Sequence, residues 1–154
     1  MQLWNQRLSS DGEHIAAVAA TGFGSWTVAV DDRTWKSAFD DLVLPPVFSP
    51  DGDRVAAGVR NGGEWGIAVE GATWPDTYDM VWDPVFSPAG DRVVAKVERG
   101  GRFAIAVDGR VWSPWYDELW DPVFGPDGER LLIRAVDNGT YIRQVVPFDS
   151  SFRG

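Results

Sequence analysis

Cysteine is absent from this 154-residue sequence, which excludes disulfides, thiolate metal ligands and cysteine nucleophiles. Histidine is nearly absent: His14 stands alone. A Ser–His–Asp arrangement would have to use it, and no motif supplies the nucleophile or the orienting carboxylate. No apolar run approaches the roughly 18 residues of a membrane helix. The first ten residues, MQLWNQRLSS, lack the basic-then-apolar order of a signal peptide. The expectation is a soluble cytoplasmic protein without direct membrane insertion. Positive charge is scarce as well, with 14 Lys and Arg against 23 Asp and Glu and a net charge of −9. That field repels a phosphate backbone and an anionic lipid surface, which argues against nucleic acid and membrane as partners.

Tryptophan, glycine and proline are abundant instead, at nine, seventeen and ten residues. Aromatics mixed with frequent Gly and Pro point to short strands joined by tight turns. The 44% hydrophobic content belongs to a globular chain.

These residues recur with a fixed period. PVFSPDGDRVAA at Pro46–Ala57 returns as PVFSPAGDRVVA at Pro84–Ala95 and as PVFGPDGERLLI at Pro122–Ile133. A worn copy, QRLSSDGEHIAA, lies at Gln6–Ala17. The turn glycines Gly12, Gly52, Gly90 and Gly128 are spaced 40, 38 and 38 residues apart. The second half repeats too: SWTVAVDDRTW, EWGIAVEGATW, RFAIAVDGRVW and a degenerate TYIRQVVPFDS. Each repeat reads as four strands. In the third, strand A is Val85–Ser87, strand B about Arg92–Glu98 and strand C Phe103–Val107. Strand D is Arg110–Trp112, running on irregularly toward Trp120. Asp108-Gly109 is a two-residue turn that suits a twisted hairpin. Runs such as VAAGV and IAV suit strands covered on both faces.

The expected fold is therefore all-β: a β-propeller of four tandem repeats of about 38 residues, each a four-stranded blade, within one domain (1–154). The repeats run approximately 4–43, 44–82, 83–120 and 121–154. A β-sandwich is the runner-up, but its strands need not resemble one another.

The FSPDGxR segment with its small-apolar strand resembles the WD-like repeat of TolB-type (FSPDG) propellers, across all four repeats. Trp82-Asp83 and Trp120-Asp121 precede strand A, so they are not the dipeptide that ends strand C in standard WD repeats. The Trp-Asp-Pro-Val-Phe-Ser-Pro run and the Ala-Val-Asp-Gly turn before Trp resemble the tryptophan-rich D subunit of the Tmc transmembrane electron-transfer complex. That resemblance implies an accessory or scaffolding role in a redox complex and transfers no catalytic motif. Those subunits are longer and carry more repeats.

Nearly every Trp falls in a column. Strand C opens with Trp26, Trp65, Phe103 and Tyr141; strand D carries Trp35, Trp74 and Trp112; the lead-in to strand A carries Trp4, Leu44, Trp82 and Trp120. Repeated large residues wedge between neighbouring blades. Trp115 alone stands outside the columns. Phe39, Tyr78 and Tyr116 form a further column, each followed by an aspartate: Asp40, Asp79 and Asp117. The candidate interaction surface is the D–A loop face, with Trp115, Tyr116, Asp117, Trp120 and Asp121, joined by Tyr78, Asp79 and Trp82. Such aromatics can anchor a protein or stack on a sugar.

No catalytic, cofactor or metal residues are expected. His14 shares a column with Arg54, Arg92 and Arg130 and replaces a structural Arg. Asp51–Asp53 lacks the full calcium-loop pattern and reads as a turn. Asp40, Asp79 and Asp117 are expected to accept backbone NH groups in the D–A connection rather than to form a carboxylate ring. The Gly62-Gly63 and Gly100-Gly101 pairs are hairpins without the Lys of a phosphate loop.

Gln2-Leu3-Trp4 aligns with Met80-Val81-Trp82 and reads as the end of a D segment, while the fourth repeat lacks its outer strand. Closure then takes one of two forms: a monomeric four-bladed ring, or a homodimer of four-blade halves, the favoured one. The functional expectation is a non-enzymatic scaffold binding a protein partner. A carbohydrate or small-ligand binder is the second reading. A glycosidase-like hydrolase with paired Asp is a third, and a fragment or engineered symmetric repeat protein a fourth.

Overall fold

The computed structural model describes residues 1–148, and over them the chain is eighteen strands with no helix. They form four antiparallel sheets in chain order. The first contains β1 (Gln2–Leu8), β2 (Ile15–Gly22), β3 (Ser25–Val30) and β4 (Arg33–Thr34). The second contains β5 (Leu42–Val43), β6 (Val47–Phe48), β7 (Val55–Asn61), β8 (Glu64–Val69) and β9 (Ala72–Thr73). The third contains β10 (Met80–Val81), β11 (Val85–Phe86), β12 (Val93–Arg99), β13 (Arg102–Val107) and β14 (Arg110–Val111). The fourth contains β15 (Glu118–Leu119), β16 (Val123–Phe124), β17 (Arg130–Asp137) and β18 (Thr140–Pro147). Asp108 and Gly109 both take positive φ, as the sequence reading of that hairpin requires.

Two expectations about strand limits are corrected. The stretch before Trp120 does not extend strand D. Glu118 and Leu119 pair with Val136 and Ala135, so they open the first strand of the following sheet. Met80-Val81 and Leu42-Val43 do the same. The first strand is thus long but broken, because Pro46, Pro84 and Pro122 cannot donate to the ladder. Where the first repeat has Gln6 instead, β1 stays continuous, with a register shift between Trp4 and Arg7 and Asn5 at φ 53°. Gln2-Leu3-Trp4 is accordingly not the end of a D segment: Leu3 pairs with Ala19, and the first sheet has all four strands. Any outer strand of the fourth repeat at 149–154 lies outside the described residues.

The core sits between consecutive sheets. Strand alternation sends one residue set forward and the other back. Val28, Ile67 and Ile105 face the following sheet, while Ala57, Ala95 and Ile133 face the preceding one, and all are buried. At the first two of these contacts the small Ala57 and Ala95 let Val28 and Ile67 seat closely. The strand-D tryptophans join sheets as well: Trp35 packs on Gly71 and Trp74 on Gly109.

Candidate functional site

The breaks in the first strands place Trp82 and Trp120. Each still donates its backbone NH to the neighbouring strand, Trp82 to Lys96 O at 3.1 Å and Trp120 to Arg134 O at 3.0 Å. Trp82 leans on Phe103 with ring centroids 5.8 Å apart. The Lys96 ammonium sits 4.2 Å from the Trp82 centroid and 5.2 Å from that of Phe103, held by both ring faces. Trp4–Trp26 at 5.2 Å and Trp120–Tyr141 at 6.0 Å repeat the aromatic pairing. In the second sheet Leu44 replaces the tryptophan and lies over Gly58.

Between the third and fourth sheets, Trp82, Lys96, Glu118, Leu119, Trp120 and Asp121 enclose a hollow of about 350 Å³. Trp120, Glu118 and Asp121 are exposed at it. The hollow thus offers an aromatic face flanked by two carboxylates, while its one cation is already engaged by Trp82. A basic or hydrogen-bond-donating group suits it.

The other expected surface residues go elsewhere. Tyr78 and Tyr116 are buried, which removes them from any surface. Each bridges to the start of strand C, Tyr78 to Trp65 and Tyr116 to Phe103, and so is drawn into the sheet. Burial pushes the Tyr78 phenol up to about 12 and raises that of Tyr116. Trp115 is half-buried, and Arg99 lies 5.5 Å from its ring and 5.0 Å from that of Tyr78. Asp79 accepts the NH of Gly100 at 2.7 Å and Asp117 that of Asn138 at 2.8 Å. Asp40 does the same for Gly62 at 2.8 Å. These aspartates do accept backbone NH groups, but from the second–third strand hairpin rather than the D–A connection. The antiparallel first strand starts beside that hairpin, which explains the difference.

His14 Nδ1 meets Asp31 Oδ2 at 2.8 Å, where Arg92 Nη1 meets Asp108 Oδ2 at 3.0 Å. The imidazole thus takes the place of the structural guanidinium. Its pKa is raised, chiefly by the hydrogen bond to Asp31. A hollow of about 450 Å³ adjoins this pair between the first and second sheets. Asp51 accepts the Ser49 hydroxyl and the Asp53 NH, the pattern of a turn. Among the described residues no group of three or more His, Asp or Glu side chains is gathered as a metal site.

Lys96 and Glu118 were not singled out by the sequence reading. The available signal was Lys96 itself, a cation inside the apolar strand VVAKV at the column of Val18, Gly58 and Arg134.

No family model matches the chain, and no curated relative is found. Among solved structures, TolB from Acinetobacter baumannii superposes with a TM-score of 0.59 at 16% identity, over 97% of this chain and 42% of that one. The fold is that of TolB-type β-propellers. A TolB-type protein from Agrobacterium tumefaciens gives 0.51 at 16% identity, over 97% of this chain and 60% of that one. The chain therefore spans about half the length of these propellers. At this identity the likeness concerns the fold alone.

Proposed function

We propose that the chain is a non-enzymatic propeller scaffold of four blades that binds a protein partner through the tryptophan-lined hollow between its third and fourth blades. The observation that carries this reading is the exposed Trp120 flanked by Glu118 and Asp121. Tryptophan is the residue type enriched among interface anchors, and the flanking carboxylates set the charge of what it meets. The net charge of −9 favours a partner with a basic surface. The TolB-type fold agrees with a scaffold, and an accessory place in a redox assembly, implied by the Tmc resemblance, is one setting for it.

The test is quantitative affinity purification from native extract with wild-type chain, Trp120→Ala and Trp115→Ala. A partner held by wild type and Trp115→Ala but lost with Trp120→Ala supports the hollow. A partner lost only with Trp115→Ala moves the interface to the Arg99 side. Two tryptophans in one hollow also suit a sugar ring, the second reading. Glycan-array binding that disappears with Trp120→Ala would put carbohydrate in place of protein.

A further inference from the structure

The junctions inside the chain share one construction. At the first, Ala16, Val30 and Trp35 receive Phe48 and Val55 of the next blade. At the second, Val47, Ala56, Val69 and Trp74 receive Phe86 and Val93. At the third, Val85, Val94, Val107 and Trp112 receive Phe124 and Leu131. Beside each contact the A–B turns stack. A Cβ at Gly52 would lie 3.2 Å from Ser9 Cβ, one at Gly90 3.4 Å from Ser49 Cβ, and one at Gly128 3.2 Å from Pro88 Cδ.

The inserting half of this junction recurs, open, on the first blade, and the valine part of the receiving half recurs, open, on the fourth, where no described residue takes the place of Trp35, Trp74 and Trp112. On the fourth, Val123, Leu132 and Val145 stand side by side across β16, β17 and β18, at the register of Val85, Val94 and Val107. They line a hollow of about 470 Å³. On the first, Leu8 pairs with Ile15, at the register of Phe86 with Val93. Exposure separates the open copies from the filled ones: Leu8 is 67% exposed, Ile15 43%, Val123 47% and Val145 59%, against 7% for Phe86 and 1% for Val93. Gly12, the first blade's turn glycine, has nothing within 4 Å, unlike the three turn glycines that follow it. Higher on the fourth blade, Arg134 and Arg143 stand opposite each other, which confines the apolar seam to the corner at Val123, Leu132 and Val145.

We propose that two copies of this chain join head to tail, the first blade of each docking Leu8 and Ile15 into the Val123–Leu132–Val145 corner of the other. The occupant is a second copy because the chain carries both the knob and the hole, in the register used at its own three junctions. Within one chain the two remain apart, since each is exposed. Such a contact is heterologous, and two of them related by a two-fold axis close a ring of eight blades, within the range of propellers. This assembly is independent of the partner hollow.

Size-exclusion chromatography with light scattering tests it. At tens of micromolar the wild type is expected at about 34 kDa, twice the 17.0 kDa of one chain. Leu8→Arg and Val145→Arg are each expected to run as single chains with an unchanged β spectrum. Ile15→Glu repeats the first arm from the neighbouring strand, should Leu8→Arg fail to fold. Mixing Leu8→Arg with Val145→Arg leaves one seam wild type on both sides and restores pairing. A wild type that stays a single chain overturns the proposal. So does a dimer that survives Val145→Arg, or a ladder of larger multimers, which shows that the contact does not close.

Discussion

Trp35 bears directly on Gly71: a Cβ at Gly71 would lie 3.2 Å from both Cβ and Cγ of Trp35. This contact joins the residue that follows β4 of the first sheet to the turn between β8 and β9 of the second. Gly63 has the same φ, +81°, with nothing within 4 Å. Comparing the two isolates packing from backbone strain. Gly63→Ala is expected to cost about 1–2 kcal/mol, the left-handed penalty alone. Gly71→Ala carries that penalty and about 1–3 kcal/mol more for overpacking. Urea denaturation of both variants gives the difference. Equal losses would mean that Trp35 yields freely and that the contact is not a close one.

Gly125 stands where the other repeats have Ser9, Ser49 and Ser87. In the second repeat the Ser49 hydroxyl donates to Asp51 and accepts the NH of Arg54 at 3.0 Å. A Cβ at Gly125 would meet Asp127 Oδ1 at 3.4 Å and Arg130 Cβ at 3.7 Å, which is room enough. Gly125→Ser is therefore expected to stabilise by about 1–2 kcal/mol, from the added hydrogen bonds and the loss of a flexible unfolded-state residue. The melting temperature should rise. A fall would show that the fourth turn is not built like the other three.

The repeat made the fold legible, because one turn and one strand pattern at four places leave few alternatives. The strand register was less legible. The interrupted first strand hides half its length behind Pro46, Pro84 and Pro122, so Leu42-Val43, Met80-Val81 and Glu118-Leu119 read as the end of the preceding unit. Burial of Tyr78 and Tyr116 was equally hidden, since it depends on a bridge between residues thirteen apart in sequence. Lys96 escaped notice because a cation within a strand looks like a solvated residue until Trp82 and Phe103 are seen around it.

Stability should respond to pH on the acid side and again near neutrality. Asp11 and Asp51 are held below the ordinary value of about 3.9 by the hydroxyls of Ser9 and Ser49, then by backbone NH groups. Asp91 is lowered chiefly by Ser87, and Asp31 by the NH of Ile15 and then by His14. Their contribution is present above that ordinary value and is lost as pH falls through the lowered ones. His14 has the opposite sign. Its raised pKa gives a contribution that is full below about 6.5 and lost as pH rises through the folded value. His14→Arg, which copies the Arg92–Asp108 pair, should remove the neutral-side loss and leave the acid side unchanged. Melting temperatures from acid to mildly alkaline pH check both. A neutral-side slope that persists in His14→Arg would place its origin elsewhere.

The Tyr78 hydroxyl is buried and has no hydrogen-bond partner. An unsatisfied buried polar group costs about 1–3 kcal/mol, and deleting it recovers much of that. The first repeat has Phe39 at this position, also buried and bridged to strand C, so the site accepts a bare ring. Tyr78→Phe is accordingly expected to stabilise by about 1 kcal/mol at neutral pH. The raised pKa gives a second readout. The folded protein prefers the neutral phenol, so stability is lost as pH rises from the ordinary value of about 10 toward about 12. Tyr78→Phe should lessen that alkaline loss and remove the highest-pH step from the ultraviolet titration of the folded protein. A destabilised variant would mean that the hydroxyl has an acceptor after all, with Arg99 held above the ring as part of that network.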